Sequence, residues 1–228
     1  MGIRLKEVLL FGINELSERI AYYIDCGESV KPFVVKGFVV DDNYYSADSF
    51  AEKKIYRYSE AKKFFIQTSS VIICIGYKNM NENRKKVFCR LRGDGWDIES
   101  FISSQTVMHT DKIGTGNIFL CKSLIEFKSS MGDCNIFDSG HLGHHSSIGN
   151  FNFFCCGNIM GGNITIGDCC FVGLNSTIKN GITLHDKTFV GAGCYLSKST
   201  PEPSMCYVPP KVACLGNSEL IMKNFISH

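Results

Sequence analysis

From Ile136 to Leu196 an apolar residue recurs at every sixth position. The series is Ile136, Leu142, Ile148, Phe154, Met160, Ile166, Val172, Ile178, Leu184, Val190 and Leu196. The residue after it is often glycine: Gly143, Gly149, Gly161, Gly167, Gly173 and Gly191. A period of six fits neither the helical repeat nor a long strand alternation. It is the period of hexapeptide repeats, which wind into a parallel β-helix. Each hexad forms one short strand with its aliphatic residue inward, and three hexads close a triangular coil. Residues 18 apart then stack at about 4.8 Å, the usual strand spacing. Upstream, Ile118 and Leu124 fall in the same register and Ser130 is its one polar lapse. The pattern predicts about five coils, from near Ile113 to near Thr200.

The first hundred residues read differently. Continuous apolar runs at residues 7–12, 33–40 and 71–76 predict buried strands, each ending at glycine or aspartate. Helical spacing predicts helices over 17–26, 59–65 and 81–92, with a short strand at 98–102 leading out. Alternation of this kind implies a small parallel sheet flanked by helices. The expected organisation is a Rossmann-like α/β domain (1–105), a β-helix domain (106–200) and a tail (201–228) with a short helix from Ser218 to Ile226. Ligands of such sheets bind beyond the carboxyl ends of the strands. Here those ends are Gly12-Ile13-Asn14, Asp41-Asp42 and Gly76-Tyr77, with Asn79, Asn81 and Arg84 close enough in sequence to reach a phosphate. Only the first glycine of the dinucleotide fingerprint is present, which argues against NAD or FAD.

Composition narrows the function classes. A net charge of +2 with 20% charged residues offers no electrostatic footprint for nucleic acid. No apolar run approaches the length of a membrane span. No secretory signal opens the chain, so the expected location is the cytoplasm. The twelve cysteines include the adjacent pairs Cys155-Cys156 and Cys169-Cys170, and no CxxC occurs. They are expected to be free thiols, and no metal is expected.

The densest chemistry is His141-Leu142-Gly143-His144-His145. With a spacing of 18, Glu126 lies one coil below His144 and Gly162 one coil above. That column supplies a base, an orienting carboxylate and a bare backbone amide for an oxyanion. Imidazole suits the base because it titrates near neutrality.

The runs SGHLGHHSSIG, MGGNITIGDCCFVGLNSTIKNGITL and FVGAG, with VLLFG, FVVDD and IGYKNMNENR upstream, resemble the NeuD/PglD-type sugar acyltransferases. The resemblance covers nearly the whole chain and implies a left-handed β-helix behind a nucleotide-sugar-binding α/β domain. It also implies a homotrimer with active sites between subunits and acetyl-CoA as cosubstrate. By resemblance, His144 is the base and the Gly162 N–H the oxyanion donor. Phe153, Leu174 and Ala192 lie near the CoA chain, with Lys211 at a CoA phosphate. The nucleotide-diphosphate amino sugar meets Asn14, Glu15, Leu16, Asp41, Asp42, Gly76 and Tyr77; Asp138 and His141 are further candidate substrate contacts. The chain departs from the family pattern in its tail, where Tyr207-Val208-Pro209-Pro210-Lys211 replaces G-x-P-A-K, and at two positions of the expected sites. Leu16 stands where a histidine is usual, and His145 where an acid usually follows the base, so Glu126 or Asp138 is expected to orient His144.

The implied reaction is N-acetylation of the sugar amine by direct attack, in surface polysaccharide synthesis. O-acetylation of a sugar hydroxyl uses the same residues. A trimeric zinc-dependent hydratase ligated by His141, His144 and His145, and a purely structural β-helix, are the readings from other classes.

Overall fold

The computed structural model describes residues 5–208. The tail expectations, including Lys211 and the helix from Ser218, lie outside the described residues.

The α/β part is built on a sheet of β1 (Lys6–Phe11), β2 (Phe33–Val40), β3 (Ser49–Phe50), β4 (Lys53–Arg57) and β5 (Ser70–Ile73). The order is β3-β4-β2-β1-β5, parallel except for β3. Helices α1 (Glu15–Asp25), α2 (Tyr58–Phe65) and α3 (Glu82–Gly93) complete it. Helix α1 starts two residues before the expected Ser17 because Asn14 caps it. The Asn14 side chain accepts from the N–H groups of Leu16 (3.0 Å) and Ser17 (3.1 Å), and Ser17 closes the capping box. The β3-β4 hairpin has no counterpart in the sequence reading. Its turn places Ala51 and Glu52 at positive φ without the glycine or asparagine that normally signals such a turn.

From Phe101 to Cys206 the chain winds as a left-handed parallel β-helix of three sheets. Its first and last strands, Phe101–Ile102 and Met205–Cys206, lie on either side of the 106–200 span. From Leu142 onward the expected hexad residues fill the interior. Before it, the frame is displaced by one. The interior is lined by Phe119, Ile125, Met131 and Phe137, not by Ile118, Leu124, Ser130 and Ile136. A five-residue step separates Phe137 from Leu142. Leu142 therefore pairs with Ile125, and Phe154 with Phe137, both 17 residues apart. The polar lapse at Ser130 disappears, because Met131 takes the inward position.

The three outer faces differ in chemistry. One carries Ser130, Ser147, Thr165 and Thr183 and suits water. A second packs Phe101, Ile118 and Ile136 into the core beneath the α/β sheet. It continues as a stacked ladder of Phe153, Phe171 and Phe189. The third presents Val107, Leu124, His141, Ile159, Thr177 and Tyr195. Inside the coil, Asn117, Asn135 and Asn152 are buried and stacked. Each Oδ1 accepts a backbone N–H from the coil above, and each Nδ2 donates to a glycine carbonyl.

Helix α3 joins the two parts through Arg84, which is fully buried. Its guanidinium donates to five carbonyls: Cys134 (3.0 Å), Ile75 (3.2 Å), Gly76 (3.0 Å), Phe151 (2.8 Å) and Asn152 (3.0 Å). Burial pushes its pKa down, and the hydrogen bonds compensate the lost hydration. Arg84 is thus occupied by the fold and does not reach out to a phosphate. The same holds for Asn81, which is buried and donates to the Cys170 carbonyl at 2.9 Å.

Arg84→Leu removes a donor from five carbonyls, of which Asn152 keeps the Ile136 N–H, and is expected to destabilise the protein by more than about 3 kcal/mol. Denaturant unfolding checks this, with Arg84→Lys expected to fall between the two.

Candidate functional site

Two regions concentrate chemistry. The first is a pocket of about 660 Å³ at the carboxyl edge of the sheet, walled by Gly12, Ile13, Asn14, Asp41, Tyr44 and Ile75 and by one side of α3. Gly12 is required there: its φ is +114°, and a Cβ would lie 2.9 Å from the Cys74 carbonyl oxygen. Of the expected ligand contacts, Asn14 and Asp41 line the pocket. Asn14 is already committed, capping α1 and donating to the Cys74 carbonyl at 2.7 Å. Asp41 pairs with Arg90 at 2.5 Å, and the Arg90 guanidinium lies 4.5 Å from the Tyr58 ring centre.

The remaining expected contacts lie elsewhere. Glu15 is exposed on the first turn of α1, and Leu16 packs against the core under the sheet. Asp42 turns to α2, where the Ser59 hydroxyl and backbone N–H hold its carboxyl below the usual carboxylate range. The Gly76 carbonyl is taken by Arg84. Tyr77 leans on the β-helix, 5.1 Å from the Phe153 ring centre and 4.8 Å from that of Phe171. In place of these residues the pocket has Asn83, Lys86 and Arg90, on the side of α3 opposite Arg84. Their spacing of three and four along a helix is the sequence signal that marks one face.

The second region is the corner after the strand Gly140–Leu142. Here Gly162 stacks above His144 as the spacing predicts, because Leu142 pairs with Met160. A Cβ on residue 162 would lie 2.6 Å from His144 Cε1, so glycine leaves the space the ring occupies. The Gly162 N–H makes no hydrogen bond to any described residue. Below His144, the 17-residue coil changes the expected partner. The His145 N–H donates to the Phe127 carbonyl at 3.2 Å, and Glu126 falls opposite Gly143. Glu126 Oε1 instead lies 3.4 Å from His141 Nε2, without the geometry of a hydrogen bond.

Asp138 is not the partner of His144 either. Its carboxylate receives both terminal nitrogens of Arg19, at 3.1 and 3.2 Å, and so ties α1 to the coil. The contact drives the Arg19 pKa up. What touches His144 is His145, with the two Nδ1 atoms 3.0 Å apart. Phe127 packs on both rings, its centre 6.2 Å from that of His144 and 5.1 Å from that of His145.

Leu174 and Ala192 share another corner, which precedes the strands Thr177–Ile178 and Tyr195–Leu196. The His144 corner follows strands of that same sheet. His144 and these two residues therefore occupy opposite edges of one face and do not meet within a chain. Phe153 stands in the aromatic ladder on the neighbouring face. Among the described residues no three His, Cys, Asp or Glu side chains are grouped as metal ligands, and His141 points away from His144 toward Glu126. The described cysteines are free, and burial pushes the Cys134 thiol up to about 12. No described helix is long and apolar enough to cross a membrane.

No curated protein matches the chain by sequence. Residues 163–198 match the family model for the hexapeptide repeat of succinyl-transferase. Three solved structures share the architecture over nearly the whole chain. The acetyltransferase domain of PglB from Neisseria gonorrhoeae has a TM-score of 0.76 at 14% identity, covering 90% of this chain and 98% of that domain. PerB from Caulobacter crescentus, solved with CoA and GDP-perosamine, has a TM-score of 0.76 at 19% identity, covering 91% and 97%. WeeI from Acinetobacter baumannii has a TM-score of 0.77 at 20% identity, covering 88% and 95%. At these identities the likeness is one of fold: an α/β part followed by a left-handed β-helix.

Gly162→Ala places a methyl group where the His144 ring lies. A structure of this variant is expected to show the ring displaced and the coil's backbone pairing unchanged.

Proposed function

We propose that this chain is an acetyl-CoA-dependent N-acetyltransferase acting on a nucleotide-diphosphate amino sugar, in surface polysaccharide synthesis. The observation that carries the reading is His144 beside the free N–H of Gly162. The sugar amine attacks the thioester carbonyl carbon while His144 Nε2 takes the amine proton. The Gly162 N–H donates to the oxyanion as it forms, and the carbon–sulfur bond then breaks to release CoA. No side chain serves as a covalent nucleophile.

The pocket in the α/β part supports the acceptor's identity. Lys86, Arg90 and Asn83 form a wall suited to a diphosphate, and the apolar floor from Phe11, Val40 and Ile75 suits a base or sugar. PerB, with the same architecture, was solved with GDP-perosamine and CoA, and the PglB domain with acetyl coenzyme A. With both substrates made in the cytoplasm, the protein is proposed to work there.

The face bearing Val107, Ile159 and Tyr195 supports a homotrimer. These side chains are 49%, 55% and 65% exposed in one chain, on a flat surface of stacked coils. Joining such faces around a threefold axis sets one subunit's His144 corner against its neighbour's Leu174 and Ala192. That arrangement assembles base and CoA contacts that a single chain keeps apart.

Thiol release from acetyl-CoA, assayed against a panel of dTDP-, UDP- and GDP-linked amino sugars, tests the reaction. One amino sugar is expected to give release and its hydroxyl analogue none; release with none of the panel overturns the reading. His144→Ala is expected to lower kcat by about 10²- to 10⁴-fold. Light scattering is expected to give three times the 25.4 kDa chain mass. Ile159→Asp is expected to yield inactive, folded monomers.

A further inference from the structure

The base of this site is hydrogen-bonded to a second histidine, where an acidic partner would fix both tautomer and charge. We propose that His145 is a positioning residue that sets the tautomer of His144. It accepts the His144 Nδ1 proton at its own Nδ1, so that His144 Nε2 is left free to receive a proton from the acceptor. This rests on the reading of His144 as the base.

The geometry carries the argument. Two Nδ1 atoms at 3.0 Å form a hydrogen bond only with a single proton between them. If His144 is to act through Nε2, that proton belongs to His144. His145 is then neutral, with its own proton on Nε2. The arrangement is held from three sides. His145 sits at φ +58°, which turns its ring back toward His144. Phe127 packs edge-on against His145, and Gly162 leaves the other side of His144 open.

The charged groups on the adjoining coils are few. Below, Glu126 lies against His141, and the Lys128 ammonium lies 5.7 Å from the Phe127 ring centre. Above, residues 158–164 hold no titratable side chain. His145 is therefore the one described side chain hydrogen-bonded to His144.

A histidine in this role behaves unlike a carboxylate. During transfer, His144 becomes an imidazolium whose Nδ1–H still donates to neutral His145, and no new charge partner stabilises it. A proton taken by His145 at Nδ1 makes that atom a donor. His144 Nδ1 must then accept, and its proton moves to Nε2, where the base is blocked. One proton anywhere on the pair thus stops the reaction, whereas an acidic partner would stabilise the charged base.

Two measurements on the full-length protein test this. Nitrogen-15 NMR of labelled histidines, which needs no substrate, is expected above pH 8 to show His144 protonated at Nδ1 and His145 at Nε2. His144 protonated at Nε2 would overturn the proposal. In the pH profile of kcat, His145→Phe is expected to lose about 10²-fold in kcat, the lower range for a general base, with KM little changed. His145→Asn restores an acceptor at the δ position, tolerates positive φ, and is expected to recover most of that loss. His145→Asp is expected to recover it too, and to move the acid limb upward by about one pH unit, because a carboxylate favours the imidazolium. Wild-type kcat and an unmoved acid limb in His145→Phe would overturn the proposal. If no variant and no wild-type protein transfers acetyl, the proposed function falls, and the NMR tautomers still decide the pairing.

Discussion

Each coil of this protein must bury one apolar side chain per strand and hand its backbone to the coil above. Parallel ladders with a packed interior allow no other arrangement, because an unpaired strand or a buried polar group without a hydrogen-bond partner costs several kcal/mol. Chain length per coil is less strictly held. Between Phe137 and Leu142 one residue is missing, yet Leu142 and Phe137 both point inward and both pair above and below. The residue is lost from the corner between them, where Ser139 takes the same left-handed conformation as Cys134 and His145 at the neighbouring corners. The chemistry follows from this shortening. It slides Glu126 away from His144 and brings Phe127 beneath the histidine pair.

Much of the fold is legible in the residues, for identifiable reasons. The hexads from Leu142 on are legible because the residue after each inward position is small or polar, most often glycine, even where Phe153, Ile159, Phe171 or Phe189 precedes it. Ahead of Leu142 the apolar residues come in doublets: Ile118-Phe119, Leu124-Ile125 and Ile136-Phe137. Either member reads as interior, because the outward one is itself buried under the α/β part or lies on the apolar face. The one-residue displacement is therefore invisible to periodicity. Gly162 stacks above His144 as the spacing predicts because the coil between them has the full 18 residues, and Glu126 is displaced because its coil has 17.

The pocket is less legible, because its residues have two competing uses. Asn14 ends a strand and faces a crevice, yet its side chain is spent on capping α1 and on the Cys74 carbonyl. Asp42 is spent on α2 and Asp138 on Arg19. Polar residues near a site are often part of the frame that shapes it, and spacing alone does not separate the two uses. Helix α3 shows the division most clearly. Arg84, Phe88 and Leu91 face inward, and Asn83, Lys86 and Arg90 face the pocket.

That division of α3 bears on how proteins of this architecture can diverge. The inward side is fixed by the carbonyl oxygens of Cys134, Phe151 and Asn152, which belong to the coil and accept a guanidinium in one place. The other side faces the pocket, where Arg90 is paired with Asp41 and packed on Tyr58. Substitutions at Asn83 or Lys86 therefore leave the inward contacts of the helix untouched. A graft that exchanges the whole α/β part must keep an arginine at that point, or supply the coil with another donor for its exposed ring of oxygens. The pocket wall and the anchor to the coil are thus written on opposite sides of a twelve-residue element.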